Sequence, residues 1–196
     1  MTKYQPEFIT HYFRKGTHPF RSLSTLNDVE AVEIMRSLYD ETMFGVRFKD
    51  PEQYLQKRRR SEKWVRDEFI LKGGRPVLEY PIYFVLGESR WLTTHAPDRS
   101  LHNGMRIKLS DLKEEDVSFT YPDSMISFWL GNEKPADLYL PEFHGKVFTR
   151  KEILAIVDQK GDPEKDWQVP LPPSLAPYIE AQVWNLEPLS ENIDLA

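Results

Sequence analysis

The chain has 196 residues, 40% of them hydrophobic and 13% aromatic, with no cysteine and a formal net charge of -5. That length supports one substantial core, so a single globular domain over residues 1–196 is expected. The acidic balance argues against a general nucleic-acid coat protein, and the lack of cysteine excludes disulfides, thiol nucleophiles and cysteine-ligated zinc. No apolar run approaches the length of a bilayer span, and MTKYQPEFITHYFRKG lacks the apolar stretch of a secretory signal. A cytoplasmic protein without a membrane partner is the expectation.

Asn27-Asp28-Val29-Glu30 reads as a cap with a carboxylate three residues on, and Val32, Met35 and Leu38 or Tyr39 follow at helical spacing. This predicts a helix over 28–40. Asp50-Pro51 opens a second, running toward Phe69 with Tyr54, Leu55 and Val65 as apolar contacts and stopping at Gly73-Gly74. Residues 77–86 are aromatic and β-branched, which predicts a strand, with Pro81 implying an edge or a bulge. The stretches from Thr94 to Asp98 and from Leu101 to Gly104 read as a loop, and 106–109 and 117–120 as strands. Ser124 to Leu130 fits either a helix or a strand. Thr149 and Glu152 form a capping box ahead of Ile153, Leu154, Ile156 and Val157, closed at Gly161. The Pro-rich 170–177 stretch is too short for a domain linker, and a final strand follows it. Helices thus gather in the N-terminal third and strands later, which predicts an α+β domain with a mixed, mainly antiparallel sheet.

In the final strand, alternation sets Tyr178, Glu180, Gln182 and Trp184 on one face and Ile179, Ala181 and Val183 on the other. A polar-aromatic face opposite an aliphatic one suits a strand lining a cleft, although a carboxylate in that pattern also fits a solvent face. The five histidines show no metal-ligand spacing, so surface histidines and no metal are expected, with His95, Asp98 and His102 only a weak cluster. Serine-nucleophile and glycine-rich phosphate motifs are absent. The run Lys57-Arg58-Arg59-Arg60 spreads around its helix and fits either a solvated face or a phosphate clamp, with one or two of Arg58, Arg59, Arg60 and Arg66 turned inward. Phe20-Arg21-Ser22-Leu23-Ser24-Thr25 fits an anion site or a plain capping loop, and Asp123-Ser124 reads as a turn with an N-cap.

The order of several segments resembles the ADP-ribosyltransferase superfamily, most nearly the DarT-type enzymes that modify thymidine in single-stranded DNA. The resemblance runs through Gly45-Val46-Arg47-Phe48-Lys49-Asp50, the Arg-rich QYLQKRRRSEKWV, the strand YPIYFVLGESRWL, VSFTYPDSM and the terminal IEAQVWNLEPLS, covering most of residues 20–192. It implies an ADP-ribosyltransferase-like fold, NAD as substrate and Glu180 as catalytic residue. Glu180 would stabilise the oxocarbenium-like charge that forms as the nicotinamide bond breaks. Arg21 or Ser22 then stands where the family has a histidine, and Ser24 where it has a threonine. An arginine near residues 58–60, with Arg59 and Arg60 singled out, would hold the pyrophosphate, and Tyr83 or Trp91 would stack on the nicotinamide or an acceptor base.

Two classes of function stay open at this level. One is an NAD-consuming transferase of unknown acceptor, single-stranded nucleic acid or protein, with Glu180 sharing a cleft with Arg21 and an arginine of the basic helix. The other is a non-catalytic interaction module, or an inactive relative of the transferases, using an aromatic and proline-rich surface around Trp167 to Pro177.

Overall fold

A computed structural model describes residues 4–42, 44–95, 102–167, 172 and 175–189. Six strands form one sheet in the order β3-β1-β2-β6-β4-β5, and every neighbouring pair is antiparallel. They are β1 (Phe8–Arg14), β2 (Ile82–Leu86), β3 (His102–Lys108), β4 (Val117–Thr120), β5 (Phe148–Thr149) and β6 (Glu180–Val183). Among the described residues five α-helices accompany them: α1 (Asp28–Leu38), α2 (Pro51–Leu71), α3 (Arg90–His95), α4 (Ser124–Glu133) and α5 (Arg150–Lys160). The α+β class holds, but the sheet is antiparallel rather than mixed, and three of the helices lie beyond the N-terminal third.

Register decides which side chains meet. Tyr83 and Ser118 stand opposite Gln182, Val85 and Thr120 opposite Glu180, and Phe84 and Phe119 opposite Ala181. Because alternate residues point to opposite faces, Tyr83, Ser118, Thr120, Glu180 and Gln182 share one face. The other carries Ile82, Phe84, Val117, Phe119, Ala181 and Val183, all buried in the main core, to which α5 adds Ile153 and Val157. Helix α2 lies over the polar face, its Val65 and Phe69 packing with Trp184 and Val147, while α1 closes its outer flank through Ala31, Val32 and Met35 against Leu55.

Local signals explain the helix ends. Asn27 accepts from the Glu30 N–H, Asp50 from Gln53 and Asp123 from Ile126, and Thr149 with Glu152 completes a reciprocal capping box. Gly73 ends α2 at φ 91°, a conformation that costs other residues a Cβ clash. The ambiguous 124–130 stretch is helical, as its Asp123 cap demands.

Several expectations change. Residues 77–86 shorten to β2, because the Val77 and Leu78 N–H groups both go to the Trp184 carbonyl and 78–80 bend away. Strand β2 is central, not an edge, and Pro81 stands just ahead of it, where no ladder N–H is required. His102, Asn103 and Gly104 begin β3 instead of continuing a loop. Strand β1 and helix α3 are additions that no motif announced; β1 is held between β2 and β3, and the short α3 by Glu164, whose carboxylate accepts from the Arg90 and Trp91 N–H groups. Residues 96–101, among them Asp98 of the weak histidine cluster, and residues 170, 171, 173 and 174 of the Pro-rich stretch lie outside the described residues.

Candidate functional site

Glu180 opens β6 in the middle of the sheet and is only 8% exposed. Its Oε1 accepts from the Ser124 N–H at 3.0 Å and from Gln182 Nε2 at 3.0 Å. Gln182 is itself oriented: its Nε2 also donates to Thr120 Oγ1 at 2.9 Å, and its Oε1 accepts from Ser118 Oγ at 2.9 Å. Trp184 Nε1 donates to the same Ser118 oxygen at 2.9 Å. A row of hydrogen bonds therefore crosses the polar face and holds the carboxylate in one place, as a buried polar row must if it is not to cost several kcal/mol.

Helix α2 supplies the facing wall. Glu62 is fully buried and accepts, on Oε1, from Arg58 Nε at 3.0 Å and from the Tyr83 hydroxyl at 2.8 Å. Arg58 Nε also donates to Ser24 Oγ at 3.0 Å, and its guanidinium carbon lies 4.7 Å from the Tyr83 ring centroid. Burial works against the Arg58 charge, and Tyr83, Glu62 and Tyr54 more than offset it, so this arginine stays charged at any accessible pH. Burial pushes the Tyr83 hydroxyl well above its ordinary range, with the Glu62 charge adding to it.

Asp123 stands beside Glu180 as the cap of α4, and the two carboxyls share one helix N-terminus. Burial, and then the Asp123 charge, raise Glu180 from 4.5 to about 7, against the pull of Gln182 and Ser124. Asp123 is raised by its own burial and held back by the Ile126 N–H and by Arg47 and Arg58. Between them the pair retains a proton to near neutrality. Burial and the same two carboxyls raise the Tyr178 hydroxyl well above its usual range.

An aromatic rim completes the site. Trp91 of α3 lies 6.1 Å from Tyr178 and 5.5 Å from Phe44, ring centroid to centroid, and the exposed Arg47 reaches over the Phe44 and Phe48 rings at 5.8 and 4.8 Å. Arginine and aromatic rings next to a carboxyl pair suit a ligand that combines a flat ring, an anionic group and a developing positive charge.

Of the residues picked out in the sequence, Glu180, Tyr83 and Ser24 belong to this connected cluster, and Trp91 stands at its aromatic rim. Ser22 is buried one turn away and accepts from the Ser24 N–H at 3.3 Å. Arg21 is exposed. Arg59 is taken up by Asp28 at 2.6 Å and the Leu26 carbonyl at 2.8 Å, and the exposed Arg60 lies over the Phe128 ring. The inward arginine of the basic run is Arg58. Tyr178, set by alternation on the same face as Glu180, lies beside it as that pattern implies. Glu62, Asp123 as an electrostatic partner, Arg47 and Tyr54 were missed, and of these only Glu62 left a signal, its four-residue spacing from Arg58.

His11 and His144 are buried, at 6% and 1% exposure, and so are not surface histidines. His11 pins the site's back wall: Nε2 accepts from the Phe20 N–H at 3.1 Å, which requires Nδ1 to carry the proton it gives the Tyr83 carbonyl at 2.8 Å. Among the described residues, no three His, Asp or Glu side chains gather as metal ligands. Trp167 is half-buried, stacked on Phe143 at 4.6 Å and bonded to the Gly161 carbonyl, so it packs inward. No described helix is long and apolar enough to cross a membrane. Comparison of the chain with protein-family models, with curated proteins and with solved structures finds no match in any of the three.

Proposed function

We propose that the chain consumes NAD and transfers its ADP-ribosyl group, with Glu180 as the catalytic residue. The observation that carries this reading is the setting of Glu180, a buried carboxylate anchored by Ser124 and Gln182 beneath the rim of Arg47, Trp91 and Tyr178. As the bond from ribose to nicotinamide breaks, its electron pair leaves with the nicotinamide and the ribose becomes cationic. A fixed negative charge in a site poor in water stabilises that cation far more than it would in bulk solvent. The acceptor, a nucleic acid or a protein, contributes a nucleophilic N–H or O–H whose proton is released as the new bond to the ribose forms. Arg47 supports the reading as the group that holds phosphate, and Trp91 and Tyr178 as surfaces for the flat rings.

Only the ionised Glu180 can serve, so the rate should climb as pH rises through about 7, the value to which burial and Asp123 bring this carboxyl. The direct experiment is nicotinamide release from NAD by the purified protein, with and without single-stranded DNA, beside Glu180→Gln. Release that disappears in the variant is expected. No release, together with no NAD-induced rise in Tm, overturns the reading and leaves a non-catalytic binding module.

A further inference from the structure

Beyond β2 the sheet's polar face is not covered by α2 or α4. A cleft of about 540 Å³ opens there, over β1 and β3, lined by Thr10, Tyr12, Gly104 and Arg106 from the strands and by Glu88, Ser89, Arg90 and Thr93 from the start of α3. Its volume falls in the range that small-molecule sites occupy. Helix α3 divides it from the Glu180 cluster: Trp91 packs on Tyr178, while Arg90 and Thr93 line the cleft.

Three observations point to the kind of occupant. First, register sets Arg14, Arg106 and Lys108 on the side that carries Thr10 and Tyr12. All three are exposed and Arg90 joins them from α3, a concentration of positive charge in a chain whose net charge is -5. Glu88 pairs with Arg106, and Glu164, the other nearby carboxylate, is turned to the Ser89 hydroxyl and the N–H groups of Arg90 and Trp91. Second, the lining is rich in donors. The Tyr12 oxygen accepts from the Ser89 N–H at 3.2 Å, which leaves its own proton to donate. Arg106 is braced over the Phe8 ring at 4.7 Å, so its guanidinium is presented in a fixed place. Third, Gly104 stands directly opposite Tyr12, and a Cβ there would lie 3.6 Å from the ring, so the absence of a side chain leaves free the space beside it.

We propose that this cleft binds a phosphate-bearing small molecule with a flat ring, its phosphate on Arg106 and Arg90 and its ring against Tyr12 in the space that Gly104 leaves open. Arginine's planar fork matches a phosphate, and an aromatic edge with an empty neighbour accepts a planar group. The inference does not rest on the transferase reading, since neither Glu180 nor the NAD reaction enters it.

The test is calorimetric titration of the intact protein with adenosine monophosphate, inorganic phosphate and adenosine. Adenosine monophosphate should bind at least tenfold more tightly than either fragment. Arg106→Glu should weaken that binding tenfold or more. Gly104→Val, which fills the space at an exposed strand position with a good β-former, should do the same while leaving Tm within a few degrees. Glu180→Gln should bind as the parent does. Absence of binding to the folded parent overturns the proposal. Binding that survives both cleft substitutions, or that is lost in Glu180→Gln, also overturns it, since the molecule then sits elsewhere.

Discussion

Strand β6 carries two faces of opposite character, and what covers each differs in the same way. On one, Ala181 and Val183 meet Phe84, Phe119, Ile153 and Val157 in a continuous apolar core. On the other, Glu180 and Gln182 meet Ser118, Thr120 and Ser124 through hydrogen bonds, Tyr83 donates its hydroxyl to Glu62, and α2 covers this face with an arginine and a glutamate as well as with valine and phenylalanine. The apolar face gains from every Å² it removes from water. The polar face must satisfy each donor and acceptor merely to break even, and a buried ion pair such as Arg58–Glu62 is often no more stabilising than a hydrophobic pair of the same shape. A fold that required only stability could have continued the apolar pattern. The polar face is where stability is given up for an arrangement of charges.

The largest expected effect lies on the apolar side. Phe119→Ala removes a fully buried ring from the apolar face of β4 and should cost about 4 kcal/mol in urea denaturation. On the polar side, Glu62→Ala leaves Arg58 charged with its buried carboxylate partner gone and should cost about 3 kcal/mol, whereas the double replacement Arg58→Met with Glu62→Leu should recover most of it. If the double replacement is as damaging as the single one, the two faces do not differ in the way described here.

A smaller effect appears in the pH dependence. Because Glu180 is raised from 4.5 to about 7, the folded state holds its proton more tightly than the unfolded chain does. Its contribution is therefore fully present below pH 4.5 and is lost as pH rises through about 7. Glu180→Gln removes that loss and should be more stable than the parent at pH 8 by on the order of 2 kcal/mol, with little difference at pH 4. Asp123, displaced in the same direction, should leave a residual slope in the variant. Equal stability of the two proteins across this range would show that Glu180 does not pay a desolvation cost. Smallest of all, Tyr83→Phe deletes one hydrogen bond to Glu62 and should cost about 1 kcal/mol by thermal unfolding.

Much of this contrast could be read from the chain before any coordinates. Alternation in Tyr178 to Trp184 separates the two faces of β6 by itself, since side chains on a strand must point to opposite sides. Caps at Asn27, Asp50, Asp123 and Thr149 mark the starts of four helices, because the N–H groups of a first turn need acceptors that those side chains supply locally. Glu180, Tyr83 and Ser24 were likewise visible as candidates.

What needed the tertiary structure is whatever depends on a neighbour far away in sequence. Whether Glu180 faces solvent or a covered cluster is decided by α2 and α4, not by β6, and so is its raised pKa. Arg58, Arg59 and Arg60 are consecutive and chemically identical, yet only the docking angle of α2 turns the first toward Ser24 and Glu62 and leaves the third in solvent. The N-terminal strand FITHYFR shows no clean apolar-polar alternation and α3 has only six residues, and the sheet pairing and the Glu164 contacts that hold them join segments more than 70 residues apart. Local chemistry determined which segments form and which faces they offer; the long-range assembly determined which faces are buried, and burial is what turns a carboxyl, a guanidinium and a ring into a site.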